Sequence, residues 1–153
     1  MVYFIEGPLS NTAEWCEPIL RSLPDWFGIE KAIEHYVKAI NNMPTFLARS
    51  EKGVIGFLSI KQHFRHSAEV YVMGIRPEVH RQGAGQKILS CAEKWLKSEG
   101  VEYLQVKTLG ELHIDENYAK TRAFYQAMGF RPLEEFKQIW DEHNPCLVMV
   151  KRL

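Results

Sequence analysis

His80-Arg81-Gln82-Gly83-Ala84-Gly85 runs straight into a helical pattern over Ala84 to Glu99 and follows a strand-like stretch, Ala68 to Ile75, that ends at Arg76-Pro77. Strand, glycine turn and helix, in that order, build an anion site. Two glycines let the backbone turn tightly with no Cβ in the way. A helix starting there points unpaired N–H groups and the positive end of its dipole into the loop. A pyrophosphate fits such a cradle. Two nucleotide-binding readings fail on single positions: a dinucleotide fingerprint needs glycine where Ile88 stands, and a phosphate-loop NTPase needs Gly-Lys-Ser/Thr after the glycines.

The chain around this loop has 153 residues, about one domain's worth, so a single domain over 1–153 is expected. With 46% hydrophobic and 25% charged residues it has the composition of a soluble globular protein. Nineteen basic residues balance nineteen acidic ones, so no global field draws in nucleic acid and anion recognition must be local. Cys16, Cys91 and Cys146 are an odd number without metal-ligand spacing, which argues against a disulfide framework or a zinc site and fits a reducing cytoplasm. The first residues have no basic, then apolar, export pattern, and no apolar run approaches membrane-spanning length. No metal, nucleic acid or membrane partner is expected.

Outward from the loop, Val2 to Glu6 reads as a strand stopped by Gly7-Pro8, and Asn11 to Leu23 as a helix interrupted at Pro18. Ile29, Ile33, Tyr36, Val37 and Ile40 form one face of a second helix. Thr45 to Ser50 and Val54 to Lys61 make a hairpin about Glu51-Lys52-Gly53, and Gln62 to Ser67 reads as a polar connection. In the helix after the glycine loop, Ile88, Leu89, Ala92, Trp95 and Leu96 point inward, and Gly100 stops it. Glu102 to Thr108 alternates as a strand, with Leu104 and Val106 on one face and Tyr103, Gln105 and Lys107 on the other. A helix over Tyr118 to Met128, capped by Asp115 or Asn117 and closed by Gly129, precedes two last strands, Arg131 to Trp140 and Leu147 to Lys151.

Taken in order, these elements and the run Ala123-Phe124-Tyr125-Gln126-Ala127-Met128-Gly129-Phe130 resemble the GNAT superfamily of N-acetyltransferases over most of the chain. The signature Gln or Arg, two residues, Gly, any residue, Gly or Ala maps onto His80 to Gly85. The Phe-Tyr, three residues, Gly-Phe ending maps onto Phe124 to Phe130. His80 departs from Gln or Arg, and Tyr118 stands where many relatives place a cofactor-contacting Asn, with Asn117 one residue away. The resemblance implies an α+β fold of α/β/α type: a mixed, mostly antiparallel central sheet of six to seven strands, flanked by helices and splayed between strands four and five.

The implied chemistry is direct transfer of the acetyl group of acetyl-coenzyme A to a primary amine in a ternary complex. By the resemblance, the pantetheine arm pairs with the fourth strand at Met73, Gly74 and Ile75, with a backbone N–H near Met73 or Gly74 polarising the acetyl carbonyl. The pyrophosphate is expected over amides of Arg81, Gln82, Gly83, Ala84, Gly85 and Gln86, with Arg81 and Lys87 adding charge. Tyr125 matches the tyrosine held to protonate the leaving thiolate. Since a phenol of pKa about 10 is a weaker acid than a thiol of about 8.5, that step needs geometry to hold the pair together.

An alkylammonium of pKa about 10 must lose a proton before attack, and Glu69 matches the catalytic glutamate of the histone-acetylating branch in position. His63, His66, Glu111 and His113 compete for that role from polar connections. Each assignment has a plainer alternative: Tyr125 as a core aromatic, Glu69 as a solvated strand end, Trp26 and Phe27 as a helix joint rather than an aromatic wall for a cationic amine. Cys91 and Cys16 read as packing residues beside apolar positions. The competing functional class is a catalytically silent acetyl-coenzyme A sensor or scaffold. The acceptor, a small molecule or a peptide or protein amine, is not encoded legibly. Dimerisation is common in the superfamily, so a homodimer is among the assemblies implied.

Overall fold

The computed structural model describes residues 2–153. In chain order the elements are β1 (Tyr3–Leu9), α1 (Ala13–Arg21), α2 (Glu30–Ile40), β2 (Thr45–Ser50), β3 (Gly53–Phe64), β4 (Ser67–Ile75), a 3-10 turn (Pro77–Val79), α3 (Ala84–Ser98), β5 (Tyr103–Leu109), α4 (Glu116–Ala127), β6 (Arg131–Asp141) and β7 (Asn144–Arg152). The strands order as β1-β2-β3-β4-β5-β7-β6, with β4 and β5 parallel. The pairs β1 with β2, β2 with β3, β5 with β7 and β6 with β7 are antiparallel. This is the mixed, seven-stranded, helix-flanked sheet expected. Contacts gather the chain into two compact units, one running to Lys61 and resuming at Tyr71–Glu99, the other made of Gln62–Val70 and Gly100–Leu153.

In the first unit α1 buries Ala13, Cys16, Ile19 and Leu20, spaced to share one face, and with Ile40, Leu47, Phe57 and Val72 they form an apolar cluster. Pro18 lies inside α1 without ending it. An interior proline costs about 3 kcal/mol. Cys16, Ile19 and Leu20 are fully buried on that helix, and burial of one Leu or Ile is worth about 1.5–3 kcal/mol, enough to offset the missing bond. Likewise β1 does not stop at Gly7-Pro8. Its register shifts between Glu6↔Leu47 and Leu9↔Thr45, so three steps of β1 oppose two of β2 and the irregularity accommodates the proline.

Val72 of β4 is buried in this cluster, and Tyr71, partly buried, packs against it. A Cβ on Gly74 would meet Leu23 Cδ1 at 3.1 Å and Ile19 Cγ2 at 3.2 Å, so Ile19 of α1 and Leu23 just past its end make the close approach at this glycine.

In the second unit the parallel register runs from Ser67↔Tyr103 to Val70↔Val106, after which β4 continues to Ile75 and β5 to Leu109. Limited pairing followed by two continuing strands is the splay expected of strands four and five. The Asp115 carboxylate caps α4, accepting from the N–H groups of Asn117 and Tyr118 at 2.8 and 3.2 Å. Gly129, at φ 96°, closes its other end, and the Lys151 ammonium donates to the Met128 carbonyl at 2.7 Å, where the negative end of the helix dipole favours a cation.

The expected polar connection over Gln62 to Ser67 is corrected: β3 runs on to Phe64, Arg65-His66 is the turn, and β4 begins at Ser67. Backbone pairing of a hairpin needs no apolar alternation, so a polar strand extension carries no sequence signal. Cys91 is exposed rather than packed, because the α3 face it occupies is turned outward from Ile88, Leu89 and Ala92.

Candidate functional site

The glycine loop belongs to the first unit. Arg81 and Gly83 both adopt left-handed backbone, at φ 62° and 82°. For Arg81 this costs about 1–2 kcal/mol; at Gly83 it explains the glycine, since a Cβ there would meet nothing within 4 Å. Left-handed residues ahead of a helix curl successive N–H groups around an anion. Gly83 is the N-cap of α3 and no side chain caps the helix. The first intrahelical bond is Lys87 N–H to the Gly83 carbonyl, 3.1 Å. The amides of Ala84, Gly85 and Gln86 therefore have no intrahelical acceptor. Those residues fit a phosphate-bearing cosubstrate.

Side chains around the loop hold its entry. His80 donates from Nε2 to the Ile75 carbonyl at 2.7 Å, and Trp26 meets the His80 ring edge-on at 6.0 Å. The His80 N–H goes to the Pro77 carbonyl at 3.2 Å, within the turn. Arg81 and Gln82 are exposed, while the Lys87 ammonium sits 5.0 Å from the centre of the Tyr3 ring. Gly74 is buried, with Met73 and Ile75 half-buried on either side. Phe27 packs edge-on against Tyr36, which meets Tyr71 in turn, so the segment between α1 and α2 is an aromatic joint.

The second unit carries the titratable side chains. Tyr125 is the buried residue of α4, 5% exposed, its ring edge-on to Phe124 and Phe130 at 5.3 and 5.4 Å. Burial pushes its phenol well above the ordinary range, so it is protonated throughout the neutral range. Tyr118 is raised too, by burial and then by the Asp115 charge. Arg122 donates to the Leu109 carbonyl at 2.7 Å and ties α4 to the end of β5.

Glu69 is only 4% exposed, not the solvated strand end that its position suggests. Its Oε1 accepts from His63 Nε2 at 2.7 Å, Gln105 Nε2 at 3.3 Å and Lys107 Nζ at 3.4 Å. A buried carboxylate requires such partners. The alternation of β5 places Gln105 and Lys107 on one face, and the Glu69↔Gln105 register brings that face to the carboxylate. Among the other candidates, His66 stacks on Phe64, Glu111 is exposed, and His113 Nδ1 is buried with no hydrogen-bond partner. Thr108 Oγ1, on β5, is buried and unpartnered as well. Asn117 donates its N–H to Asp115 and accepts from the Thr121 hydroxyl through its carbonyl. The polar face of β5 was legible in sequence; its meeting with His63 was not, because it depends on the extension of β3. Among the described residues no group of His, Cys, Asp and Glu has metal-site geometry, and no helix is long and apolar enough to cross a membrane.

The family model of the acetyltransferase (GNAT) domain matches residues 41–132. No curated protein matches. Among solved structures, a protein of the GNAT family from Desulfovibrio desulfuricans superposes with a TM-score of 0.85 at 14% identity, covering 99% of each chain. The PaiA N-acetyltransferase from Thermoplasma acidophilum, in complex with coenzyme A, gives 0.76 at 20% identity over 100% of both chains. The ribosomal-protein-S18-alanine N-acetyltransferase from Escherichia coli gives 0.78 at 14%, covering 99% of this chain and 94% of its own. Those likenesses show the fold.

With the family model across both the glycine loop and Tyr125, the chain is an acyltransferase by class, and it belongs to the GNAT acetyltransferase family. Its general chemistry is acetylation from acetyl-coenzyme A.

Proposed function

We propose that the chain moves the acetyl group of acetyl-coenzyme A directly to a primary amine, of a small molecule or a peptide, in a ternary complex. The observation that carries this reading is the Glu69 cluster: a buried carboxylate bonded to a half-accessible imidazole is a proton-accepting pair, and an ammonium acceptor must give up a proton before it attacks. The amides of Arg81 through Gln86 hold the pyrophosphate. Backbone N–H groups near Met73 and Gly74, beside Ile75, polarise the acetyl carbonyl and stabilise its oxyanion. Tyr125 donates its proton to the departing sulfur. Its raised pKa makes that transfer uphill against a thiol of about 8.5, so the donation is confined to the moment the C–S bond breaks. Thr108 Oγ1 and His113 Nδ1 are buried polar atoms that a bound substrate would complete. Three free cysteines, one of them exposed, support a reducing cytoplasm.

A panel of polyamines, small primary amines and peptides, with thiol release followed at saturating acetyl-coenzyme A, tests the reading. Turnover with at least one amine is the expected result. Binding of acetyl-coenzyme A by calorimetry with no transfer to any acceptor overturns it in favour of a sensor.

A further inference from the structure

The Glu69 cluster divides into a reachable part and an unreachable one. The carboxylate side chain is 5% exposed and its Oε1 already accepts three donors, whereas 28% of the His63 side chain is open. An ionised carboxylate only accepts hydrogen bonds, so in the neutral ring the 2.7 Å contact puts the proton on Nε2 and leaves the lone pair on Nδ1. Lys107 and Gln105 hold the carboxylate from β5, and the Glu69↔Gln105 register fixes them relative to it.

We propose that His63 Nδ1, presented by Glu69, is the group that takes the amine proton, and that Glu69 is a positioning residue held by Gln105 and Lys107. The proposal rests on the amine-acetylation reading above. The ammonium first gives a proton to Nδ1, whose open edge releases it to solvent; as the neutral amine then forms its bond to the acetyl carbon, its N–H proton passes to Nδ1 in turn and the carbonyl electrons move to oxygen. The imidazolium so formed is paired with the Glu69 carboxylate. Collapse of the oxyanion breaks the C–S bond, the thiolate takes the Tyr125 proton, and the proton held on His63 returns to the phenolate through solvent. The products are the amide and the free thiol.

The ionisable groups around the pair come from each neighbouring strand: Glu69 from β4, Lys107 from β5, and the Cys146 thiol from β7, pushed up by burial, down by Lys107 and up by Glu69. On β3 itself Lys61 lies two residues back, its ammonium 5.8 Å from the Tyr71 ring centre.

The test compares His63→Gln, His63→Ala and Glu69→Gln with the parent, using an amine that the parent acetylates. His63→Gln keeps an N–H for Glu69 but cannot take a proton. It is expected to lower kcat about 10²-fold and to remove the acidic limb of kcat/KM, with KM for acetyl-coenzyme A unchanged. Added imidazole should restore part of the activity of His63→Ala. Glu69→Gln should cost less and retain the acidic limb. Nitrogen NMR of the labelled parent should show His63 protonated at Nε2 in its neutral form. A His63→Gln enzyme within twofold of the parent, an acidic limb lost in Glu69→Gln instead, or an Nδ1–H tautomer each overturns the assignment. Failure of the underlying reading is distinct: it appears in the parent, as binding of acetyl-coenzyme A without transfer.

Discussion

The glycine loop and the Glu69 cluster are built from opposite materials. Arg81 to Gln86 offers backbone N–H groups, contiguous in sequence and shaped by two left-handed residues, with the side chains of Arg81, Gln82 and Gln86 exposed. The Glu69 cluster is made of side chains alone, drawn from β3, β4 and β5, on a backbone that is ordinary strand. A backbone site tolerates exchanges of side chain and fails when its dihedral angles are changed. A side-chain site behaves in reverse. Substitutions in the glycine loop should therefore show up in donor affinity, and those among the titratable side chains of the second unit in the rate of chemistry.

The sharpest separation is expected from Tyr125→Phe, which keeps the ring contacts with Phe124 and Phe130 and removes the proton. Steady-state kinetics should show kcat reduced about 10²-fold, with acetyl-coenzyme A binding unchanged by calorimetry. Equal losses in binding would break the contrast between the units.

Gly83→Val is its counterpart. At φ 82° a β-branched residue is strained, though the space around it is open. The dissociation constant for coenzyme A should rise about tenfold, the equivalent of about 1.4 kcal/mol, while kcat at saturating donor stays within about twofold. Gln82→Ala, on the same loop, should leave both constants near the parent's, since only its amide is used.

A pH experiment probes the first unit's core. Burial pushes the Cys16 thiol up to about 12 from 9.0, partly countered by its contact with Thr12. The unfolded chain then loses this proton first, so the group's contribution is complete below pH 9 and is withdrawn as pH rises toward 12. The slope attributable to it is about 1.4 kcal/mol per pH unit. Denaturant melts of Cys16→Ala between pH 8 and about 11 should show a flatter alkaline decline than the parent. An unchanged slope would mean the decline comes from elsewhere.

The smallest effect is expected at Asp115→Ala, which leaves the Asn117 and Tyr118 amides uncapped at the start of the helix that carries Tyr125. A lost cap costs about 1 kcal/mol, or about 2–4 °C in Tm for a chain of this size. Donor affinity should not move.

The geometry of the glycine loop was legible in the sequence almost completely, because its parts are neighbours: a strand end, a glycine whose freedom is needed, and an uncapped helix start. Helix α4 was equally readable from Asp115 to Gly129. The continuity of α1 through Pro18 and of β1 through Gly7-Pro8 was not, because apolar burial in α1 and a register shift in β1 outweigh what a proline does locally. The sequence reads His63 as part of a connection, and the plainer reading of Glu69 as a solvated strand end misses its burial, for the same kind of reason.

What the sequence determined by itself is the order of elements and the site made of consecutive amides, since dihedral preference and hydrophobic period act over a few residues. The tertiary structure alone decided the burial of Glu69 and the partners around it. The three residues that share its Oε1 lie up to 38 positions away along the chain. Only strand register brings them together, and only burial of the carboxylate requires them to be there.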